Sequence, residues 1–263
     1  MFTIVYMVKA KKRYGQNFLK DDSVLNGIIE AAGITKEDDV LEIGPGTGSL
    51  TKLLCRAAGS VTAVEIDREL IPVLKKELGA FENFTLIQGD ILKTELEELF
   101  DAEKPLKVVA NLPYYITTPI IMKLLESSLP MKSLTVMVQK EVALRMAAAP
   151  GTSDYGALSL AVQYRAKTEY IMTVPPECFY PSPSVDSAVV RLDMYTEPPV
   201  KAKDPEKMFA LIRLAFNQRR KTLANASGDR ARVAAALEEL GLNPMIRGEA
   251  LGLEEFAKLS DAL

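Results

Sequence analysis

Short apolar segments alternate with segments of helical periodicity along most of the chain, and this alternation restricts its possible folds more than any other feature. The strand-like segments occupy residues 39–44, 60–67, 83–90, 106–115 and 134–141. Helical patterns lie between them at residues 49–59, 68–79 and 118–128. This order is typical of a parallel sheet whose strands are joined by crossover helices. We therefore predict an α/β fold with a mostly parallel sheet.

Local signals agree with this pattern. Asp21 and Asp22 are suitable residues to begin a helix, and Gly33 is a suitable residue to end it. Gly79 similarly predicts the end of the helix that carries Leu70 and Leu74.

The last third of the chain has a different composition. Two late strand-like segments, 169–175 and 187–195, flank a Pro-rich loop, and a charged, Pro-rich segment follows at residues 197–205. From Pro205 onward the sequence is helical and rich in Leu and Ala. A chain of 263 residues is long enough for one large α/β domain with a small appendage. We predict a catalytic domain over residues 1–196 and a small helical domain over residues 197–263.

The composition excludes several kinds of chemistry. Histidine is absent, which excludes Ser-His and Cys-His triads and histidine-ligated metals. The two cysteines, Cys55 and Cys178, are too few for a disulfide framework or a zinc site. We therefore expect no metal and a reducing, cytoplasmic location. The first 13 residues place an apolar run before basic residues, the reverse of a signal peptide, and no run reaches membrane-spanning length.

The first motif, Glu42 to Gly48, lies where a predicted strand turns into a helix. Its glycines, Gly44 and Gly46 among them, allow the backbone to approach a ligand closely, although a tight turn alone would also explain them. The third glycine of a dinucleotide-binding motif would fall at Ser49, so the spacing does not fit that motif. The motif resembles instead the glycine loop of class I methyltransferases, whose ligand presents a methionine moiety there.

The second and third motifs place carboxylates after the next two strands. Glu65 follows Gly48 by 17 residues, and its carboxylate is suited to accept a hydrogen bond from each of the two hydroxyls of a ribose. Asp67 is an alternative ligand, but alternation along a strand favours it as the cap of the helix starting at Arg68. The Asp90 carboxylate is suited to accept a hydrogen bond from the amino group of an adenine. A role as helix cap would explain an aspartate at this position nearly as well. All three motifs fall at strand ends, where open α/β sheets bind ligands.

The fourth motif, Asn111 to Tyr114, follows the fourth strand directly. The exocyclic amine of adenine is a poor nucleophile, because its electron pair is delocalised into the ring. The Asn111 side-chain oxygen and the Leu112 carbonyl are suited to accept one amine hydrogen each and so localise that pair. Pro113 favours an extended Leu112, which directs that carbonyl outward, and Tyr114 is placed to stack on the base. A Pro turn ending a strand is the simpler alternative.

Together, these motifs resemble the ribosomal RNA adenine N,N-dimethyltransferase family over nearly the full chain. Further segments that match this family are residues 15–19, 139–146, 155–156, 176–192, 216–223 and 247–259. The last two resemble the small helical domain of the small-subunit branch of the family. The resemblance implies a class I methyltransferase (Rossmann-like) fold and S-adenosylmethionine as cofactor. It implies that the target is two adjacent adenosines in a hairpin loop near the 3′ end of small-subunit rRNA.

The resemblance also assigns roles to particular residues. It implies that Phe179 helps to sandwich the target base, as a member of the catalytic set with Asn111, Leu112, Pro113 and Tyr114. The cofactor-binding residues that it implies are Asn17, Leu19, Glu42, Gly44, Gly46, Glu65, Asp90 and Asn111. Taken alone, Phe179 is more typical of a core residue, and residues 15–19 could simply lead into a helix with Phe18 as an apolar staple.

Basic clusters provide candidate RNA contacts, which the net charge of −3 does not itself indicate. The candidates are Lys9, Lys11, Lys12, Arg13, Arg219, Arg220 and Lys221. They are suited to grip phosphates, although a solvated helix face explains the run 219–221 about equally well. We expect the protein to be monomeric and to bind the immature small ribosomal subunit.

Three alternative functions remain open on the sequence. A large-subunit rRNA adenine methyltransferase of the macrolide-resistance type shares the core motifs but differs in the C-terminal part. A DNA adenine methyltransferase would be served equally well by the fourth motif alone. An assembly factor that acts mainly by binding the immature subunit belongs to a different class, and the intact Glu42, Glu65, Asp90 and Asn111 argue against binding alone.

Overall fold

The computed structural model of the protein describes residues 10–101 and 103–263, with the side chain of Lys12 excepted. Its strands are β1 (Phe18–Leu19), β2 (Asp39–Ile43), β3 (Ser60–Glu65), β4 (Phe84–Gln88), β5 (Leu106–Asn111), β6 (Met131–Gln139), β7 (Ala166–Val174), β8 (Phe179–Tyr180) and β9 (Ser187–Met194). Its helices are α1 (Asp22–Ala32), α2 (Ser49–Ala57), α3 (Ile71–Leu78), α4 (Thr117–Glu126), α5 (Lys140–Ala147), α6 (Ala157–Gln163), α7 (Pro205–Asn217), α8 (Leu223–Ala226), α9 (Arg230–Glu239) and α10 (Leu253–Ala262).

Seven of the strands form one sheet in the order β4-β3-β2-β5-β6-β9-β7. The strands from β4 to β6 are parallel to their neighbours, and β9 is antiparallel to β6. Parallel neighbours require crossover connections, which α2, α3 and α4 provide. This topology confirms the mostly parallel sheet predicted from the alternation of apolar and helical segments.

The helix boundaries follow from local chemistry. The Asp21 carboxylate accepts hydrogen bonds from the backbone N–H groups of Ser23 and Val24 and so begins α1. Gly33 ends α1 at φ 57°, in the left-handed region that favours glycine. The predicted start and end of this helix are therefore confirmed. Gly79 likewise follows the last residue of α3. Within the described residues, no helix combines the length and apolar character that crossing a membrane requires.

The chain divides into two compact units. One contains the described residues up to Ala143 together with Glu169–Met194, and the other contains Leu144–Thr168 together with Tyr195–Leu263. The first has its core between the sheet and α1 and α2, where Leu25, Ile28 and Leu54 pack.

Residues 144–168 belong to the second unit, although the first domain was predicted to extend over residues 1–196. The reason is their packing: Tyr155 and Leu160 are buried in one hydrophobic cluster with Met208 and Phe256. The Tyr155 hydroxyl also donates a hydrogen bond of 2.9 Å to the Leu251 carbonyl. A contact between segments so distant in sequence leaves no local signal.

A buried ion pair connects β5 to the segment between α1 and β2. Lys107 Nζ lies 2.8 Å from Asp38 Oδ2 and donates a hydrogen bond of 2.6 Å to the Gly33 carbonyl. The Asp38 carboxylate also accepts hydrogen bonds from the Thr35 N–H and hydroxyl. Burial alone would raise the pKa of Asp38, but these bonds outweigh it and hold the pKa below its usual value.

We predict that Lys107→Ala lowers the free energy of unfolding by about 3 kcal/mol, because it leaves the Asp38 charge buried without its counter-charge. Urea denaturation measures this loss. Lys258→Ala is the matched control, since Lys258 pairs with Glu254 at an exposed i,i+4 position, and its denaturation midpoint should equal that of the wild type. An unchanged midpoint for Lys107→Ala would show that the buried pair contributes nothing to stability.

Candidate active site

Strand register brings the predicted site residues to one edge of the sheet. Ile43 at the end of β2 lies beside Val64 of β3 and Ala110 of β5, and Glu65 lies beside Gln88 of β4. The loops that follow these strands, with residues 14–19, line a single cavity. The predicted residues that line it are Asn17, Leu19, Glu42, Gly44, Gly46, Glu65, Asp90, Asn111, Leu112, Pro113 and Tyr114.

The glycine loop after β2 follows a path that side chains would obstruct. Gly44, Gly46 and Gly48 have φ values of 68°, 59° and 81°, all in the left-handed region. A Cβ atom on Gly46 would lie 3.1 Å from the ring of Phe18, tighter than ordinary contact. The loop therefore needs glycine for its backbone conformation and, at Gly46, for the close approach of Phe18.

Glu65 is almost fully enclosed, with an exposure of 4%. Its Oε2 accepts a hydrogen bond of 3.2 Å from the Gly46 N–H, and its Oε1 accepts one of 2.8 Å from the Asp67 N–H. Burial raises the pKa of Glu65, while these two bonds oppose the rise. Because each carboxylate oxygen can accept two hydrogen bonds, both oxygens can still accept one from a ligand in the cavity.

Glu42 contributes a second buried carboxyl group to the cavity wall. Its Oε2 has no hydrogen-bond partner within residues 10–101 and 103–263. Burial raises the pKa of Glu42 to about 8; the nearby Thr51 hydroxyl opposes this rise, and the negative charge of Glu65 adds to it. A buried polar atom without a partner is costly, so this carboxyl group favours a ligand that donates a hydrogen bond or carries positive charge.

Asp90 serves a structural role and still presents a free oxygen. Its Oδ1 accepts a hydrogen bond of 3.0 Å from the Leu92 N–H, which shapes a turn at residues 91–93. No helix begins at this turn, so the helix cap that the sequence left as an alternative is not formed. None of the described residues donates a hydrogen bond to its Oδ2. One oxygen therefore shapes the turn while the other can accept a bond from an amino group.

The end of β5 presents two neutral acceptors. The Asn111 side-chain nitrogen donates a hydrogen bond of 3.2 Å to the Asn17 carbonyl, which leaves its Oδ1 available to the cavity. The Leu112 N–H donates a bond of 3.0 Å to the Met137 carbonyl, so neighbouring strand β6 fixes the backbone there. Within the described chain, no residue donates a hydrogen bond to the Leu112 carbonyl.

Tyr114 is held in place from a distant part of the chain. Its hydroxyl lies 2.6 Å from the hydroxyl of Ser187, the buried first residue of β9. Burial raises the pKa of Tyr114, so the phenol stays neutral at ordinary pH. Ser187 was not identified from the sequence, because nothing in the local pattern indicates a bond across 73 positions. Tyr115, also not identified, lines the cavity and is 58% exposed.

An unpredicted network docks the N-terminal segment beside this cavity. Lys11 Nζ lies 2.6 Å from Asp67 Oδ1 and 2.9 Å from Glu69 Oε1. Gln16 Nε2 donates a hydrogen bond of 2.9 Å to Asp67 Oδ2. Two carboxylates already pair with the charge of Lys11, and its RNA contact stays a prediction. Asp67 also accepts a bond from the Glu69 N–H, but in the turn of residues 68–70 that precedes α3. The predicted capping role is therefore wrong, since α3 begins at Ile71 and its N-cap is Leu70.

Phe179 does not lie where its assignment would require. Its side chain is 1% exposed and packs in the core of the first unit with Leu25 and Val189. It pairs with Leu19 in the short sheet of β1 and β8, which fixes it in this core position. In this structure the ring is a core element rather than a surface open to a base.

The other basic candidates differ in their surroundings. Arg13 is exposed and stacks on the Tyr14 ring at 4.7 Å. Arg219 pairs with Glu249 at 2.8 Å and donates to the Thr152 carbonyl, so it is engaged within its own unit, contrary to a free RNA contact. Arg220 and Lys221 are exposed and, like Arg13, have no ion-pair partner in the described part of the chain. Lys9 and the Lys12 side chain lie outside the described residues.

The described residues contain no cluster of acidic or Cys side chains that could hold a metal ion. The side chains that line the cavity include carboxylates, amides and aromatic rings. Such groups can bind a ribose, an amino group and an aromatic base by hydrogen bonding and stacking.

Comparison with known proteins gives the same assignment along nearly the whole chain. The family described as "Ribosomal RNA adenine dimethylase" matches residues 7–263. The chain is 53% identical to the ribosomal RNA small subunit methyltransferase A of Lachnoclostridium phytofermentans, with 96% of this chain and 91% of that protein covered.

Two solved structures are similar in fold as well as sequence. The crystal structure of a dimethyladenosine transferase from Plasmodium falciparum has a TM-score of 0.81 and 30% identity, with 92% of this chain and 95% of that one covered. The crystal structure of the 23S rRNA methyltransferase ErmE has a TM-score of 0.72 and 29% identity, with 94% and 99% covered. On this evidence the chain belongs to the ribosomal RNA adenine dimethylase family.

Proposed function

We propose that this protein uses S-adenosylmethionine to dimethylate the exocyclic amines of two adjacent adenosines in a hairpin loop near the 3′ end of small-subunit rRNA. The observation that carries the chemistry is the pair of unpartnered acceptors, Asn111 Oδ1 and the Leu112 carbonyl, at the cavity. The substrate assignment is supported by 53% identity to a relative named for the small subunit, against 29% to one named for 23S rRNA. We further propose the immature small ribosomal subunit as partner, a cytoplasmic location and a monomeric protein.

The residues of the cavity fit this cofactor. S-adenosylmethionine supplies an electrophilic methyl group when bound. Glu65, with one free acceptor position on each oxygen, would hold the ribose hydroxyls. Asp90 would accept a hydrogen bond from the adenine amino group, and the unpartnered Glu42 oxygen matches the positive charge of the methionine end. Gly44 and Gly46 would let the ligand approach the backbone.

Asn111 and Leu112 would activate the target amine without removing a proton first. Two acceptors that each take one amine hydrogen favour the pyramidal form of the nitrogen, in which its electron pair is localised. Neither an amide oxygen nor a backbone carbonyl titrates near neutral pH, which agrees with a chain that contains no histidine. The amine becomes acidic only as it gains a methyl group, so its proton can leave to water.

Tyr114 would support the base while the amine is held. Its ring lines the cavity, and the Ser187 hydroxyl fixes its outer end, so the ring presents a defined face for stacking. For the second methylation the amine retains only one hydrogen, and one acceptor contact must be given up. Asn111 and Leu112 therefore contribute differently to the two steps. An adenine must also leave its stack to reach them, which favours loop RNA as substrate.

We predict that Asn111→Ala lowers the single-turnover rate of the first methylation about 100-fold or more, because the lost acceptor acts most strongly on the developing cationic amine. The measurement uses isolated small-subunit precursors, mass spectrometry of the modified nucleosides and saturating cofactor. The wild type should yield dimethyladenosine and show no ionisation of a catalytic base near pH 7.

Large-subunit precursors and duplex DNA are the matched substrates for this experiment. Methylation of either in preference to the small-subunit precursor would contradict the proposed substrate. A wild-type rate for Asn111→Ala would remove Asn111 from the mechanism, and binding of the precursor without any methylation by the wild type would favour an assembly factor.

We predict that Glu65→Ala weakens S-adenosylmethionine binding by about 1.5–3 kcal/mol, because it removes two acceptors for the ribose. The same change leaves the Gly46 and Asp67 N–H groups without partners, so the free energy of unfolding should also fall. Calorimetric titration of the folded variant measures the affinity, and urea denaturation verifies that it is folded. Wild-type affinity in a folded variant would exclude Glu65 as the ribose acceptor.

We predict that the double variant Arg220→Ala with Lys221→Ala weakens binding to small-subunit precursor RNA and reduces the slope of log affinity against log salt by about 1 to 2, since two phosphate contacts are lost. Filter binding at several salt concentrations measures both quantities. Arg219→Ala is the matched control, because its charge is already paired with Glu249, and its salt slope should match the wild type. Equal slopes for all three proteins would favour a solvated helix face.

A further inference from the structure

We propose that Asp67 is a positioning residue, which docks residues 11–17 against the cavity and thereby holds the Asn111 amide in its working orientation. This inference rests on the proposed function, since it concerns the same cavity. It assigns Asp67, Lys11 and Gln16 a shared role beyond the capping contact expected of Asp67.

Both carboxylate oxygens of Asp67 are occupied by hydrogen bonds from the protein. The residue is 2% exposed, although a carboxylate is costly to bury. Its Oδ1 receives Lys11 Nζ at 2.6 Å and the Glu69 N–H at 3.1 Å, and its Oδ2 receives Gln16 Nε2 at 2.9 Å. The turn that leads into α3 needs only the bond from the Glu69 N–H. The two bonds from the N-terminal segment are therefore additional, and they span 56 and 51 positions of sequence.

The docked segment is itself held in a compact turn by hydrogen bonds between its own residues. The Lys11 N–H donates a bond of 2.8 Å to Gln16 Oε1, and the Tyr14 N–H donates one of 3.1 Å to the Lys11 carbonyl. Gly15 lies within this turn at φ 58°, which lets the backbone pass close to Tyr115. Lys11 and Gln16 thus contact each other as well as Asp67, so the turn docks as one body.

The N-terminal turn is connected to Asn111 at the end of β5. Asn17 follows Gln16 directly, and its carbonyl accepts the bond from the Asn111 side-chain nitrogen. That bond decides which end of the amide faces the cavity, because the nitrogen is occupied and the oxygen remains. Residues 14–19 also line the cavity continuously. Undocking the turn would therefore open one wall of the cavity and release the Asn111 amide.

The backbone of Asp67 also contacts the wall of the cavity proposed to bind the cofactor. Its N–H donates a bond of 2.8 Å to Glu65 Oε1, so the same residue fixes the carboxylate proposed to hold the cofactor ribose. Asp67 consequently contacts the cofactor wall through its backbone and the N-terminal segment through its side chain. The segment has a separate anchor in β1, which pairs with β8 and does not involve Asp67. Loss of the Asp67 contacts should loosen residues 11–17 without unfolding the unit.

The experiment compares Asp67→Asn and Lys11→Met with the wild type, with Lys11→Arg as the variant that retains the ion pair. Lys52→Met is the matched control, because Lys52 has an exposure similar to that of Lys11 and pairs with Glu77 in the same unit, but lies outside the docked segment. Three quantities are measured: hydrogen exchange of the Lys11 and Tyr14 amides, the dissociation rate of S-adenosylhomocysteine as probe, and the single-turnover rate at saturating cofactor.

Asp67→Asn and Lys11→Met should each accelerate exchange at these amides and raise the probe dissociation rate about fivefold, as expected for the loss of a charge-assisted contact. Their single-turnover rates should fall as well, since Asn111 loses its anchor. Lys11→Arg and Lys52→Met should behave as the wild type.

Unchanged exchange and unchanged probe dissociation in folded Asp67→Asn and Lys11→Met would overturn the proposal and leave Asp67 only its bond with the Glu69 N–H in the turn before α3. A loss of stability in Asp67→Asn alone, with Lys11→Met like the wild type, would do the same. If the wild type neither binds the probe nor methylates RNA, the proposed function fails. The exchange data would still decide whether Asp67 docks the segment, so the two failures are distinguishable.

Discussion

The parallel register of β2 with β3 and β5 is the constraint on which the rest of the site depends. Because Ile43 lies level with Val64 and Ala110, the chain leaves three strands at the same height and must turn there three times. Each turn exposes backbone and side-chain polar groups to one cavity instead of to separate surfaces. A shift of one residue in either pairing would invert the faces of a whole strand and separate these groups.

The groups at this edge are divided between support and recognition. Gly46 N–H, Asp67 N–H and Leu92 N–H bind the carboxylates that the cavity presents, and Asn17 and Ser187 hold the two side chains closest to the proposed chemistry. In each case one side of the functional group is occupied by the protein, and the other is left for a ligand. Such partial use fixes orientation before binding, which reduces the entropy lost when a substrate arrives.

The sequence predicted the parts of this arrangement that depend on local pattern. The strands before Gly44, Asp67 and Asn111, and the capping of α1 by Asp21, follow from periodicity and short-range hydrogen bonding. The contacts that were not predicted join distant segments. Lys11 and Arg219 looked like free cations because their carboxylate partners lie 56 and 30 positions away.

The same limit explains Phe179 and the division of the chain into two units. The motif around Phe179 indicates its family, but the pairing of β8 with β1 decides that its ring is enclosed. Residues 144–168 join the C-terminal helices through tertiary contacts, namely hydrophobic packing and the bond from Tyr155 to Leu251. Backbone path can be inferred from a single sequence more readily than the partner of an individual side chain, because several partners of the right charge exist along any chain of this length. The bond between the Asp67 N–H and Glu65 Oε1 has a further consequence for redesign. A designer who replaced Glu65 to admit a different sugar would also free the backbone of the residue that holds the N-terminal turn, so sugar specificity and the fit of the cavity wall would have to be re-engineered together.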